Sequence, residues 1–314
     1  MKSFAFGVDL GGTTVKLGLF DSEGTLADKW EIPTRTENSG EHILPDIADS
    51  LKHALARNQI PGEAVLGGGI GVPGAVLEDR FVKPCVNLNG WGGFDVAQKL
   101  SDLCGYPVKA VNDANAAALG EMWQGGGKGY RNVVFVTLGT GVGGGVIVDG
   151  KLLTGAHGSG GEIGHIKLYA DAPFACGCGK RGCLEQFASA TGIVHEAQRL
   201  LEAEDTPSAL RNLEQVTAKD VMDLAKAGDG LACRVADFFG DSLGRALASV
   251  SCVCDPQIIV LGGGVSKAGS YIVDLVQTAF VKYAFPAAEP TQFALAALGN
   301  DAGIYGAASL ALAQ

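Results

Sequence analysis

Residues 8–14 read VDLGGTT and residues 136–142 read VTLGTGV. The two stretches match at an offset of about 128 positions, and Asp21 falls on Asp149 at that same offset. An apolar run precedes each one, FAFGVDL at 4–10 and NVVFVTL at 132–138. Another follows each, VKLGLF at 15–20 and GVIVD at 145–149. Short apolar runs punctuated by glycine read as strands joined by tight turns. Two strand–turn–strand units at a fixed offset point to a duplicated domain, with a cleft expected between the copies.

The rest of the chain fits that frame. Apolar residues at Ile43, Leu44, Ile47, Leu51 and Leu55 recur at helical spacing. VLGGGIGV at 65–72 reads as a strand turned by Pro73-Gly74. Asp95 is placed to cap a helix that Gly105 ends. PVKAV at 107–111 reads as a strand that runs through Asn112 and Asp113 into an alanine-rich helix. The glycine run at 125–129 marks a domain boundary. Helices are expected near 190–203, 217–227, 231–250 and 267–283, and a strand at 257–261 runs into Gly262-Gly263-Gly264. The expected division is 1–124, completed by a helix at 301–314, and 125–300.

Composition narrows the function. The chain has 314 residues, 47% of them hydrophobic, and a formal net charge of −10. An acidic chain is a poor partner for nucleic acid, which is gripped by clustered Lys and Arg. A phosphorylated small ligand stays open, because backbone amides can hold it without a basic patch. No run is long and apolar enough for a membrane span, and the N-terminal stretch lacks the pattern of a signal peptide. The expected compartment is therefore the cytoplasm, where the eight cysteines read as metal ligands or core residues, not disulfides.

GTGVGG at 139–144 satisfies the dinucleotide glycine pattern, but a strand follows it where that motif requires a helix. No Walker A sequence occurs. The turns at Gly11, Gly12 and Thr13 and at Gly139, Thr140 and Gly141 read either as plain hairpin turns or as amide cradles for a triphosphate. A third glycine run with Gly263 and Gly264 favours the cradle. Lys16 would add a cation, and Asp9 would sit near a metal and the phosphates.

Asp113 lies where a strand passes into a helix. By itself it reads as an N-cap. The carboxyl end of a strand also faces the ligand crevice of an α/β sheet, where a carboxylate can orient a hydroxyl and accept its proton. Asn112 offers a donor and an acceptor beside it. His165, Cys176, Cys178 and Cys183 make a four-ligand tetrahedral zinc set with no open position, hence a structural one. Glu162 and Glu185 flank that knot, either as solvated surface or as carboxylates that accept from sugar hydroxyls.

Together these pieces resemble the ROK family of repressors, open reading frames and kinases. The matching stretches are DLGGTTVK at 9–16, GVPG at 71–74, NDANAAALGE at 112–121, GTGVGGG at 139–145, GEIGH at 161–165, CGCGKRGCLEQ at 176–186 and GGGVS at 262–266. The glucokinase branch is the nearest in pattern. The resemblance implies an actin-like, ribonuclease H-like pair of α/β domains, with the last helix returning to the first domain. It implies Asp113 as catalytic base. Gly74, Asn87, Asn112, Asp113, Glu162, His165 and Glu185 are the implied sugar contacts, and the three glycine loops the ATP site with Mg2+. His165, Cys176, Cys178 and Cys183 are the implied ligands of structural Zn2+. A homodimer or a dimer of dimers is implied. Glucose leads as substrate, with N-acetylmannosamine, N-acetylglucosamine, allose and fructose as alternatives. A DNA-binding regulator would need a further domain before the first strand, and a non-catalytic sugar sensor would be expected to have lost Asp113 or a phosphate loop.

Overall fold

The computed structural model describes residues 3–170, 172 and 174–312. In chain order the principal elements begin with β1 (Phe4–Leu10), β2 (Thr14–Asp21), β3 (Leu26–Pro33), α1 (Ile43–Arg57) and β4 (Val65–Val72). Next come β5 (Val76–Leu77), β6 (Phe81–Val82), β7 (Phe94–Asp95), α2 (Val96–Cys104), β8 (Val108–Asn112) and α3 (Asp113–Gln124). They continue with β9 (Val133–Leu138), β10 (Val142–Val148), β11 (Lys151–Leu152), α4 (Glu185–Ala188), α5 (Ala190–Ala203), α6 (Ala218–Lys226) and α7 (Gly230–Cys254). The chain closes with β12 (Ile258–Gly262), α8 (Ser270–Tyr283), β13 (Gln292–Leu295) and α9 (Ala302–Leu312). No helix among the described residues is long and apolar enough to cross a membrane.

The duplication seen in the sequence is a duplication of topology. One five-stranded sheet has the order β3-β2-β1-β4-β8 and the other β11-β10-β9-β12-β13. In the first, β1 pairs antiparallel with β2 and parallel with β4, and β4 pairs parallel with β8. In the second, β12 pairs parallel with both β9 and β13. Each glycine turn therefore sits at the same place in its own sheet.

Contacts divide the chain into two compact units. One comprises Met1–Gly129, Gly145–Gly161 and Ala297–Gln314, the other Tyr130–Gly144 and Glu162–Ala296. The sequence places 125–129, 145–161 and 297–300 in the second domain, whereas contacts place them in the first unit. The structure joins Gly145 to the first because it lies against Ala118 and Asn115 of α3.

Local chemistry explains the elements of the first unit. The apolar stripe of α1 (Ile43, Leu44, Ile47, Leu51, Leu55) is buried against the β1–β2–β4 core. Asp95 caps α2 by accepting the Gln98 N–H at 2.9 Å, and Gly105 ends it at φ +84. α9 packs on α3, β1 and β4. The approach is backbone to backbone: a Cβ on Gly306 would collide with the Ala116 carbonyl oxygen. A helix this apolar around its circumference belongs in an interior. The strands β3 and β13 and the small sheet β5-β6-β7 add to the elements expected from the sequence.

Candidate active site

In the first unit the expected site residues gather at the carboxyl ends of β1, β4 and β8. The β1–β2 turn is closed by the Gly11 N–H, which donates to Thr14 O at 3.1 Å. Its carbonyls are held from one side by Thr34: the Thr34 hydroxyl donates to Gly11 O at 2.7 Å and the Thr34 N–H to Thr13 O at 2.9 Å. In a planar trans peptide the N–H points opposite to the C=O. Fixing Gly11 O therefore turns the Gly12 N–H the other way. Asn87, exposed in the turn after Cys85, brings its carbonyl to 3.5 Å from where a Cβ on Gly12 would stand.

Asp9, next to last in β1, pairs in register with Lys16 of β2. Burial pushes the Asp9 carboxyl up to about 6, the Lys16 ammonium opposes the shift and the Asp113 charge adds to it. The Asp9 carboxylate offers oxygen ligands of the kind a divalent cation takes. Lys16 Nζ also donates to Asn300 O at 3.2 Å, and a Cβ on Gly303 would lie 2.9 Å from Asp9 Oδ2. The start of α9 thus walls this corner, a role that nothing in its small-residue sequence announces.

The capping of α3 falls on Asn112. Its Oδ1 accepts the N–H groups of Ala114 at 3.0 Å and Asn115 at 3.3 Å, and its Nδ2 donates to Gly74 O at 3.2 Å. Asn112 therefore has its acceptor engaged and retains one amide hydrogen for another partner, fewer contacts than the sequence suggested. Asp113 is the first residue of the helix and is exposed. Its Oδ1 accepts the Ala114 N–H at 2.8 Å.

The second unit holds the other set. Gly139 N–H closes its turn on Gly141 O at 3.0 Å. The loop carbonyls are again taken from one side: Gly139 O by the Ala190 N–H at 2.8 Å, Thr140 O by the Thr191 hydroxyl at 3.0 Å. The same peptide geometry aims the Thr140 and Gly141 N–H groups away from α5. Gly263, at φ +84, presses on the backbone of Leu138, where a Cβ would come within 2.5 Å. This places the third glycine run beside the second, with Gly264 exposed.

His165, Cys176, Cys178 and Cys183 offer ligand atoms that all lie within 4.8 Å of one another. Cys176 Sγ is 3.7 Å from His165 Nδ1, and Cys178 Sγ is 3.6 Å from Cys183 Sγ. Tetrahedral zinc with Zn–S of about 2.3 Å needs sulfur atoms roughly 3.8 Å apart, so the set fits that ion. The ligands are held by a short bridge of Ala175 to Arg181 and another of Lys167 to Cys183. With Nδ1 turned to the thiols, the Nε2 edge of His165 faces away from them. Glu185 opens α4 directly after the knot. Its Oε1 accepts from Cys176 Sγ at 3.5 Å and its Oε2 from the Val142 N–H at 3.1 Å, linking the knot to the 139–141 loop. The Glu162 side chain is exposed, and its carbonyl accepts the His165 N–H at 3.1 Å. The contribution of Thr34 and Thr191 was missed in the sequence, where a lone threonine carries no signal.

A family model described as "ROK family" matches residues 5–314. The chain belongs to the ROK family. Among ROK relatives, a glucokinase of Halalkalibacterium halodurans is 43% identical over 96% of this chain and 92% of its own length. An N-acetylmannosamine kinase of Citrobacter koseri is 35% identical over 97% of each chain. The crystal structure of a ROK family glucokinase from Streptomyces griseus in complex with glucose and AMPPNP has a TM-score of 0.74 and 33% identity, covering 98% of this chain and 99% of that one. The fold is accordingly the actin-like ATPase fold of ROK kinases.

Proposed function

We propose that this chain is an ATP-dependent hexose kinase and that its first substrate is glucose, phosphorylated on the 6-hydroxyl. The observation that carries the reading is at the start of α3: Asn112 caps the helix, and the Asp113 carboxylate stands exposed at its first residue, with its charge felt at Asp9. Asp113 would hold the attacking hydroxyl and accept its proton. The Ala114 N–H on Oδ1 and the positive helix end keep the carboxylate ionised and oriented. The loose transition state of phosphoryl transfer asks for orientation more than for strong basicity. Gly12, Thr13, Lys16, Thr140, Gly141, Gly263 and Gly264 would hold the nucleotide, with Asp9 on its magnesium. Bound Mg2+ would neutralise phosphate charge. Gly74, Asn87, Asn112, Glu162, His165 and Glu185 would hold the sugar, as the resemblance implies. Zinc on His165, Cys176, Cys178 and Cys183 would be structural. A homodimer and a cytoplasmic location belong to this same reading.

The N-acetylmannosamine kinase relative supports a second reading, in which an amino-hexose is preferred. A coupled kinase assay over hexoses and N-acetylhexosamines separates the two. Glucose should be turned over with the highest kcat/KM. Preference for N-acetylmannosamine would install the second reading, and no turnover of any sugar would defeat both.

A further inference from the structure

Glu121 lies on the alanine-rich helix α3 with 0% exposure. A buried carboxylate is costly unless hydrogen bonds satisfy it. Here Oε2 accepts the N–H groups of Gly126 at 2.8 Å and Ala297 at 2.9 Å, and Oε1 accepts that of Leu298 at 2.9 Å. The main-chain oxygen of Glu121 takes the N–H groups of Gly125 at 3.1 Å and Gly127 at 2.9 Å. The glycine run after α3 thus wraps this one residue, and a Cβ on Gly125 would collide with Oε2.

The carboxylate ties the chain that leaves α3 to the chain that enters α9. From Leu298 a single turn, Gly299–Asp301, leads into α9. That turn presents Asn300 O to Lys16 Nζ at 3.2 Å, and Gly303 follows it against the Asp9 carboxylate. Lys16 and Asp9 are the groups assigned to phosphate and magnesium.

We propose that Glu121 is a positioning residue for the nucleotide end of the site: it fixes the 297–301 turn, and through that turn sets Lys16 and Asp9. This rests on the kinase reading above. The test is calorimetric binding of Mg-AMPPNP and, separately, of glucose to wild type and Glu121→Gln, with a Mg2+ titration of activity. In the variant an amide nitrogen replaces one acceptor oxygen and faces N–H groups. Nucleotide affinity should fall about tenfold, the order of one charge-assisted hydrogen bond, with a matching rise in the Mg2+ requirement. Glucose affinity should stay within about twofold. Gly125→Ala, which displaces the carboxylate without removing it, should show the same split and provides the test if Glu121→Gln does not fold. Unchanged nucleotide binding in either folded variant overturns the proposal. So does equal weakening of both ligands, the mark of a merely structural residue. Wild type that binds no Mg-AMPPNP would overturn the kinase reading itself.

Discussion

Asn112 and Asp113 are adjacent at the start of α3 but meet its first N–H groups differently. Asn112 Oδ1 caps α3 through the Ala114 and Asn115 N–H groups, and Asp113 stands one position further on as the first helical residue. Asp113→Asn should therefore leave the helix intact, since the cap is elsewhere. Glucose binding is expected to hold within about threefold, with kcat falling by about 10²–10⁴, the range a general base supplies. Near-normal turnover in steady-state kinetics would remove Asp113 from the base role.

The thiol and imidazole set should bind zinc at about one ion per chain. Atomic emission on freshly purified protein checks the ratio, and Cys178→Ser should lose the ion. Because His165 belongs to the knot and Glu185 follows it directly, chelation should also raise KM for sugar. Protein that carries no zinc would overturn the knot reading.

Asp9 predicts a pH dependence of defined sign. Its carboxyl rises from 3.8 to about 6, chiefly by burial. The folded state therefore holds more protons than the unfolded state between those values. That contribution to stability is fully present below 3.8 and is lost as pH rises through about 6. Asp9→Asn should raise stability at about pH 7.5 by on the order of 2–3 kcal/mol, with the gain vanishing towards about pH 4. Denaturant melts at both pH values decide it; an equal gain at both would contradict the assignment. Magnesium-nucleotide binding by wild type should weaken below about pH 6 as Asp9 protonates.

Gly306→Ala forces a methyl group onto the Ala116 carbonyl between α9 and α3. It should cost about 1–3 kcal/mol, the usual scale of overpacking, and lower Tm by several degrees. An unchanged melt would mean that α9 can shift at no cost.

Much of this was legible because the glycine turns are sequence-local: hairpins at Gly11–Thr13 and Gly139–Gly141 need only their own residues. The helices showed through their apolar spacing. What escaped had no local signal. β3 (LADKWEIP) alternates half-buried and exposed positions with charged residues between apolar ones, an edge pattern easily passed over. The sheet β5-β6-β7 is built from two-residue strands. Glu121 sits in a helix where a carboxylate normally faces water, and it is satisfied by the N–H groups of Gly126, Ala297 and Leu298, the last two far away in sequence. The His165, Cys176, Cys178 and Cys183 set was legible from its spacing, whereas the approach of His165 Nδ1 to Cys176 Sγ needed the fold.

The bond from Leu298 to Glu121 joins residues 177 positions apart. The sheet of the first unit meets α9 only after the second unit's residues have been synthesised. Until then β1 and β4 expose the apolar surface that α9 covers. Loop-closure entropy over so long a span makes this docking a late event, and the second unit, nearly continuous in sequence, can form first. The first unit is thus completed by the last helix of the chain, which is made only after every residue of the second unit.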